Sequence, residues 1–187
     1  MKIFNRKFTN DLWGVFSTTV FCTYSWSMLI FFWDVPSFLL RYNTGEIISY
    51  LAYQFMFALL ESTIVTIFVT VIGFIFPAKF LRNKFRVTGT ALVFAFAINA
   101  IYFKHILDIV NWVTDALFID MLIAIQIVTG IWAVCLVVLP IGLVMASKME
   151  RVEKIVNQFV DRLSILVSIY LFLSLLGILL IIVRNIS

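Results

Sequence analysis

The chain has 187 residues, 63% of them hydrophobic and 13% charged, with a mean hydropathy of +1.09. A soluble domain carries about 25% charged and 45–50% apolar residues. The composition therefore excludes that class and predicts an all-α integral membrane protein of one domain, residues 1–187. The net charge of +4 needs no nucleic-acid partner, because the basic residues are distributed as a topology signal.

A span needs about 20 apolar residues, and five runs meet that need. The first, 12–33, holds no charged residue. It is too long for a cleavable leader and no small-residue cleavage site follows it, so it reads as a retained signal anchor. Cys22 lies in this run and Cys135 in the fourth; neither implies a disulfide. Pro36 is expected to help end the first span.

The second run, 47–76, contains one charged residue, Glu61, and stops before Pro77. Ala58, Ser62, Thr66, Thr70 and Gly73 recur three to four residues apart, a small-residue face on which helices approach closely. This predicts that the second span is central in the bundle. The third run, 87–103, is short and carries Ala91, Ala95 and Asn99 on one line.

Residues 105–120 read as an amphipathic helix. Asp108, Asn111 and Asp115 share one face, and Ile106, Ile109, Val110, Val113 and Leu117 the other. Such a helix is expected to lie on the outer membrane surface. His105, the only histidine, with Asp108 and Asp115 reads as a solvated polar face rather than a cation site. The fourth run, 121–147, contains Pro140, which should bend it, with Gly142 adding freedom. In 147–163, Met149, Val152, Val156, Phe159 and Leu163 repeat at helical spacing. This is a helical extension of the fifth span, 163–183, with a short coiled-coil contact as the alternative.

Orientation follows from Lys and Arg. One side would hold Lys2, Arg6, Lys7, Lys79, Arg82, Lys84, Arg86, Lys148, Arg151, Lys154 and Arg162; the other would hold Arg41, Lys104 and Arg184. The N-terminus is thus expected in the cytoplasm and the C-terminus outside, in a plasma membrane or bacterial inner membrane. Trp13, Trp33 and Trp112 fall near the expected interfaces. Closed β-barrels need alternating segments, and these runs do not alternate.

Glu61 poses the sharpest question. It stands near the middle of its span, where an ionised side chain costs roughly 3 kcal/mol or more. No Lys or Arg lies at comparable depth in any run. The carboxyl is then protonated and hydrogen-bonded to a neighbouring span, solvated in a cavity, or paired with a cation of a partner chain. Gln54, Asn99 and Gln126 are the other strong polar groups, each in the outer half of its span, as are Ser27 and Ser174. They read first as interhelical glue. The alternative is an outward-facing vestibule with Glu61 at its floor and acidic loops at its mouth, which would favour cations or protons.

No glycine-rich phosphate loop, nucleophile elbow or zinc-binding helix is present in the sequence, so no catalytic residue, cofactor or metal is expected. Five spans with an outer C-terminus resemble the membrane modules of lipoteichoic-acid-synthase-like enzymes, in which a catalytic domain follows the last span. The resemblance covers topology alone. With the sequence ending at "RNIS" it implies that any outer domain belongs to a separate chain. The expected function is a non-catalytic membrane scaffold or anchor subunit that works with a partner membrane protein or as a homo-oligomer. The alternative is a small cation or proton channel or transporter that uses Glu61. A membrane enzyme comes third.

Overall fold

The computed structural model describes the backbone of residues 2–75, 85–117, 120–146 and 149–186, and within these the side chains except at 2–7, 107, 117 and 185–186. Six helices make up the described residues: α1 (Lys2–Arg41), α2 (Thr44–Ile75), α3 (Phe85–Lys104), α4 (Ile106–Leu117), α5 (Met121–Ala146) and α6 (Glu150–Ile186). All but α4 are long and apolar enough to cross a membrane. They cover the five predicted runs except Phe76 and Ser147, which lie outside the described residues. Pro77 and the basic segment 78–84 lie outside the described residues.

The direction of packing is read from the contacts. Along α1, Phe8 meets Phe74 and Tyr24 meets Phe55, so α1 and α2 are antiparallel. Arg86 and Val160 lie at Gly14, while Lys104 lies over Trp26 and Tyr170 stacks on Tyr24, so α3 and α6 run parallel to α1. The ring of Phe103 near the start of α4 lies 5.3 Å from Trp132, and Val144 reaches the cluster around Phe85. Helix α5 therefore returns antiparallel to α3.

The third and first spans, rather than the second, are the most enclosed: among the described residues α3 meets every other helix and half of its span is buried. Helix α1 packs on α2, α3 and α6, and Val15, Ser17, Thr18, Thr19 and Val20 are all buried. Burial on nearly every side needs small or hydroxyl-bearing residues, and these three hydroxyls are absorbed by α1's own carbonyls at Trp13, Gly14 and Val15. Helix α2 buries the predicted small face, with Ala58, Ser62, Thr66 and Gly73 inside. Its other side, including Leu60, Ile64 and Ile67, is exposed.

Close helix approach is concentrated at glycines. A Cβ on Gly89 would stand 2.6 Å from the Val15 side chain, one on Gly73 would stand 2.6 Å from the Phe85 ring, and one on Gly177 would stand 3.0 Å from the Ala52 carbonyl oxygen. These contacts bring α3 onto α1, α2 onto α3, and α6 onto α2.

Pro36 does not end α1, which runs on to Arg41. Proline removes the N–H that would bond the Phe32 carbonyl, but the turn beyond it is held by ring contacts. The Phe38 ring is tilted against Tyr50 of α2, with centroids 4.7 Å apart, and Phe31 stacks on the same ring. The connection is then closed by a reciprocal cap. Asn43 Oδ1 accepts from the Glu46 amide at 3.0 Å, and the Asn43 amide donates to Glu46 Oε2 at 2.9 Å. This satisfies two amides at the start of α2.

Helix α5 runs through Pro140. Among the described residues it packs chiefly on α3 and α4, with Ala124 and Val128 as its buried residues. Helix α4 is separate from α3, divided from it at His105, and buries Val110 against those two residues with Ile106, Ile109 and Val113 alongside. Asp108, Asn111 and Asp115 are exposed, as the amphipathic pattern predicts. The Leu117 side chain lies outside the described residues. Residues 150–163 form one continuous helix with the fifth span, which is the predicted extension.

Candidate functional site

The four polar residues singled out from the sequence are not brought to one place. Gln54 lies in α2 and its Nε2 donates to the Ser27 carbonyl of α1 at 2.7 Å. Asn99 is buried in α3 and its Nδ2 donates to the Ala95 carbonyl at 2.8 Å. Gln126 is exposed on α5. Glu61 is exposed on α2 and has no hydrogen bond or ion pair among the described residues. Of the three accommodations open to Glu61, the bond to a neighbouring span is therefore not formed among the described residues. The small face of α2 turns Ser62 into the bundle, and the helical rotation of about 100° per residue carries Glu61 to the flank.

The surroundings of Glu61 are apolar. Phe57 and Ile64, one turn to either side, are exposed, as are Leu60 and Phe68. Thr63 is exposed as well, with its hydroxyl given to the Leu59 carbonyl at 2.9 Å. Glu61 is thus the one acidic or basic residue of α2 beyond its first turn, set in an outward apolar surface.

The polar interior lies elsewhere and was not foreseen. Tyr24 is fully buried and its hydroxyl donates to the Phe55 carbonyl at 3.2 Å. The same hydroxyl is hydrogen-bonded to Ser174, which also reaches the Tyr170 carbonyl at 3.0 Å. The Tyr24 ring stacks between Phe55 and Tyr170, with centroids at 5.7 and 4.9 Å. One phenol therefore ties α1, α2 and α6 together. A tyrosine in mid-span between serines and threonines was the available signal, but the carbonyl that receives it is set only by tertiary packing.

A second polar tie joins α3 to α6 across the first half of α1. Arg86 opens α3 and pairs through Nη2 with Asp161 of α6. Its side chain crosses Gly14 of α1, where an added Cβ would stand 2.9 Å from Nε and 3.1 Å from Val160. Nε is buried there without a partner among the described residues. Asp161 is largely exposed, so this pair is a rim contact of modest strength.

At the opposite end, the Lys104 ammonium lies 4.8 Å from the Trp26 ring centroid and 5.9 Å from that of Trp33. These cation–π contacts dock the end of α3 on α1. His105 Nδ1 is 3.3 Å from Asp108 Oδ2, while Asp115 stands apart from them. Among the described residues no three of His, Cys, Asp and Glu are grouped as metal ligands.

Comparison with known proteins finds no matching family model, no matching curated protein and no matching solved structure.

Proposed function

We propose that the chain is a non-catalytic membrane scaffold or anchor subunit that holds a separate partner protein. The observation that carries this reading is the division of polar groups. Those of the interior bond within the chain, some between helices, as Gln54 to Ser27 and Tyr24 to Ser174, and others to their own helix, as Thr18 to Gly14 and Asn99 to Ala95. The mid-span acid Glu61 instead faces outward. A carboxyl on an apolar flank is expensive in hydrocarbon, and a covering polypeptide removes that cost. A conducting route would call for the reverse division, with the acid inside and polar residues around it.

In this reading the N-terminus is cytoplasmic and the C-terminus is outside, in a plasma or bacterial inner membrane. The support is the unequal distribution of basic residues. Helix α4 rests in the outer interface, with Asp108 and Asp115 toward water. Helix α1 serves as the retained signal anchor.

The test is purification of the natively expressed chain in mild detergent, followed by native mass spectrometry. A second membrane protein at fixed stoichiometry is the expected result. A lone chain or a homo-oligomer with cation flux in liposomes, lost in Glu61→Gln, would replace the scaffold by the channel.

A further inference from the structure

Gln54, Glu61 and Phe68 recur every seven residues along α2 and therefore lie on one side of it. The two ends of this line touch different neighbours. Gln54 bonds the Ser27 carbonyl of α1 at 2.7 Å. The Phe68 ring lies 5.7 Å from Phe96 of α3. Glu61, between them, is exposed. Helix α2 thus touches α1 and α3 two turns to either side of Glu61, and the carboxyl stands exposed on the outward face of α2. Phe57 and Ile64 frame it with exposed apolar surface.

We propose that this face of α2 seats a membrane-spanning helix of the partner protein, and that this helix carries a Lys or Arg at mid-span that pairs with Glu61. The proposal rests on the scaffold reading and adds the chemistry of the partner. Charge complementarity selects the occupant, because intramembrane acids are accommodated when they face protein and are paired. A second copy cannot supply the cation: residues 12–33, 47–75, 87–103, 121–146 and 163–183 contain no Lys or Arg. A lipid headgroup cannot reach the site. Glu61 is 17 residues from Thr44 and 14 from Ile75 within α2, at least about 20 Å from either end at 1.5 Å per residue. Phe57 and Ile64 offer apolar walls to the long methylene stem of the incoming base.

The test uses the full chain in phosphatidylcholine liposomes with a fluorescent designed Leu/Ala span of about 21 residues bearing one central Lys, and its twin with a central Leu. Energy transfer from the chain reports association. The Lys span is expected to associate roughly tenfold more tightly than its twin. Glu61→Leu should abolish that preference, and Glu61→Gln should weaken it, both with unchanged circular dichroism. Equal association of the two spans, or a preference that survives Glu61→Leu, would overturn the proposal. So would Glu61-dependent transfer between two copies of the chain that the Lys span fails to displace. The native complex separates the two layers of the argument. A partner retained by Glu61→Leu overturns this docking point and leaves the scaffold standing; a wild-type chain without any partner overturns both.

Discussion

Gln54 and Glu61 stand two turns apart on one side of α2, and only Gln54 is bonded: it donates to the Ser27 carbonyl at 2.7 Å, while Glu61 is exposed. The two should therefore respond oppositely to truncation. Gln54→Leu removes a bond between α1 and α2 and should cost about 0.6 kcal/mol, the usual value for such bonds in membranes. Glu61→Leu removes nothing that the chain itself uses. Its unfolding midpoint in detergent should match the wild type or rise above it. Unfolding by graded SDS checks both variants, and a large loss on Glu61→Leu would show that the carboxyl supports the chain's own fold.

The glycines divide in the same way. At Gly177 an added Cβ would meet the Ala52 carbonyl oxygen at 3.0 Å, whereas at Gly142 it would meet nothing within 4 Å. A backbone oxygen cannot rotate aside. Gly177→Ala should therefore separate α6 from α2 and destabilise by about 1–3 kcal/mol, as overpacking does. Gly142→Ala should leave stability unchanged. The pair is measured in one SDS titration, where equal midpoints would contradict the close approach.

Tyr24 and Ser174 should behave as a coupled pair. Tyr24→Phe and Ser174→Ala each break the bond between the two hydroxyls. The second loss then adds little to the first. A double-mutant cycle should give a coupling of about 0.5–1.5 kcal/mol, within the range seen for interhelical bonds in membranes. Additive single effects would mean that the two hydroxyls do not act together.

These features differ in how far the sequence reveals them. The spans were legible because apolar length is a property of the chain alone, and the buried face of α2 because Ala58, Ser62, Thr66 and Gly73 repeat at the helical period. The amphipathic face of α4 was legible for the same reason, and Val110 is buried where the pattern puts it. Pro36 misled because local backbone preference was overridden by the packing of Phe38 on Tyr50. The enclosure of α1 and α3 is not legible because their threonines, serines and aromatics read as weaker spans than α2, while burial depends on tertiary packing. Only tertiary contacts reveal that Gly14 lets Arg86 pass to Asp161. The side on which Glu61 emerges was within reach. It follows Leu60 and precedes the inward Ser62, and its heptad mates Gln54 and Phe68 are not on the small-residue face.

Orientation can be checked with single cysteines in a variant lacking Cys22 and Cys135. Asn111 is exposed on α4 and should be labelled in intact cells by an impermeant maleimide, since the acidic side is expected outside. Asn157, within the basic first half of α6, should be labelled only after permeabilisation. The reverse pattern would invert the topology.

The most direct measurement places a photoreactive benzoylphenylalanine at Phe57 or Ile64, which flank Glu61 and are 54% and 57% exposed, and illuminates the membrane in which the chain is natively made. A partner helix seated at Glu61 predicts an adduct with a span of a second protein that carries Lys or Arg near its middle, diminished by Glu61→Leu. The same probe at the fully buried Val69 should yield only adducts within the chain. Adducts with lipid alone, adducts with another copy of the chain, or a partner adduct indifferent to Glu61→Leu would contradict it.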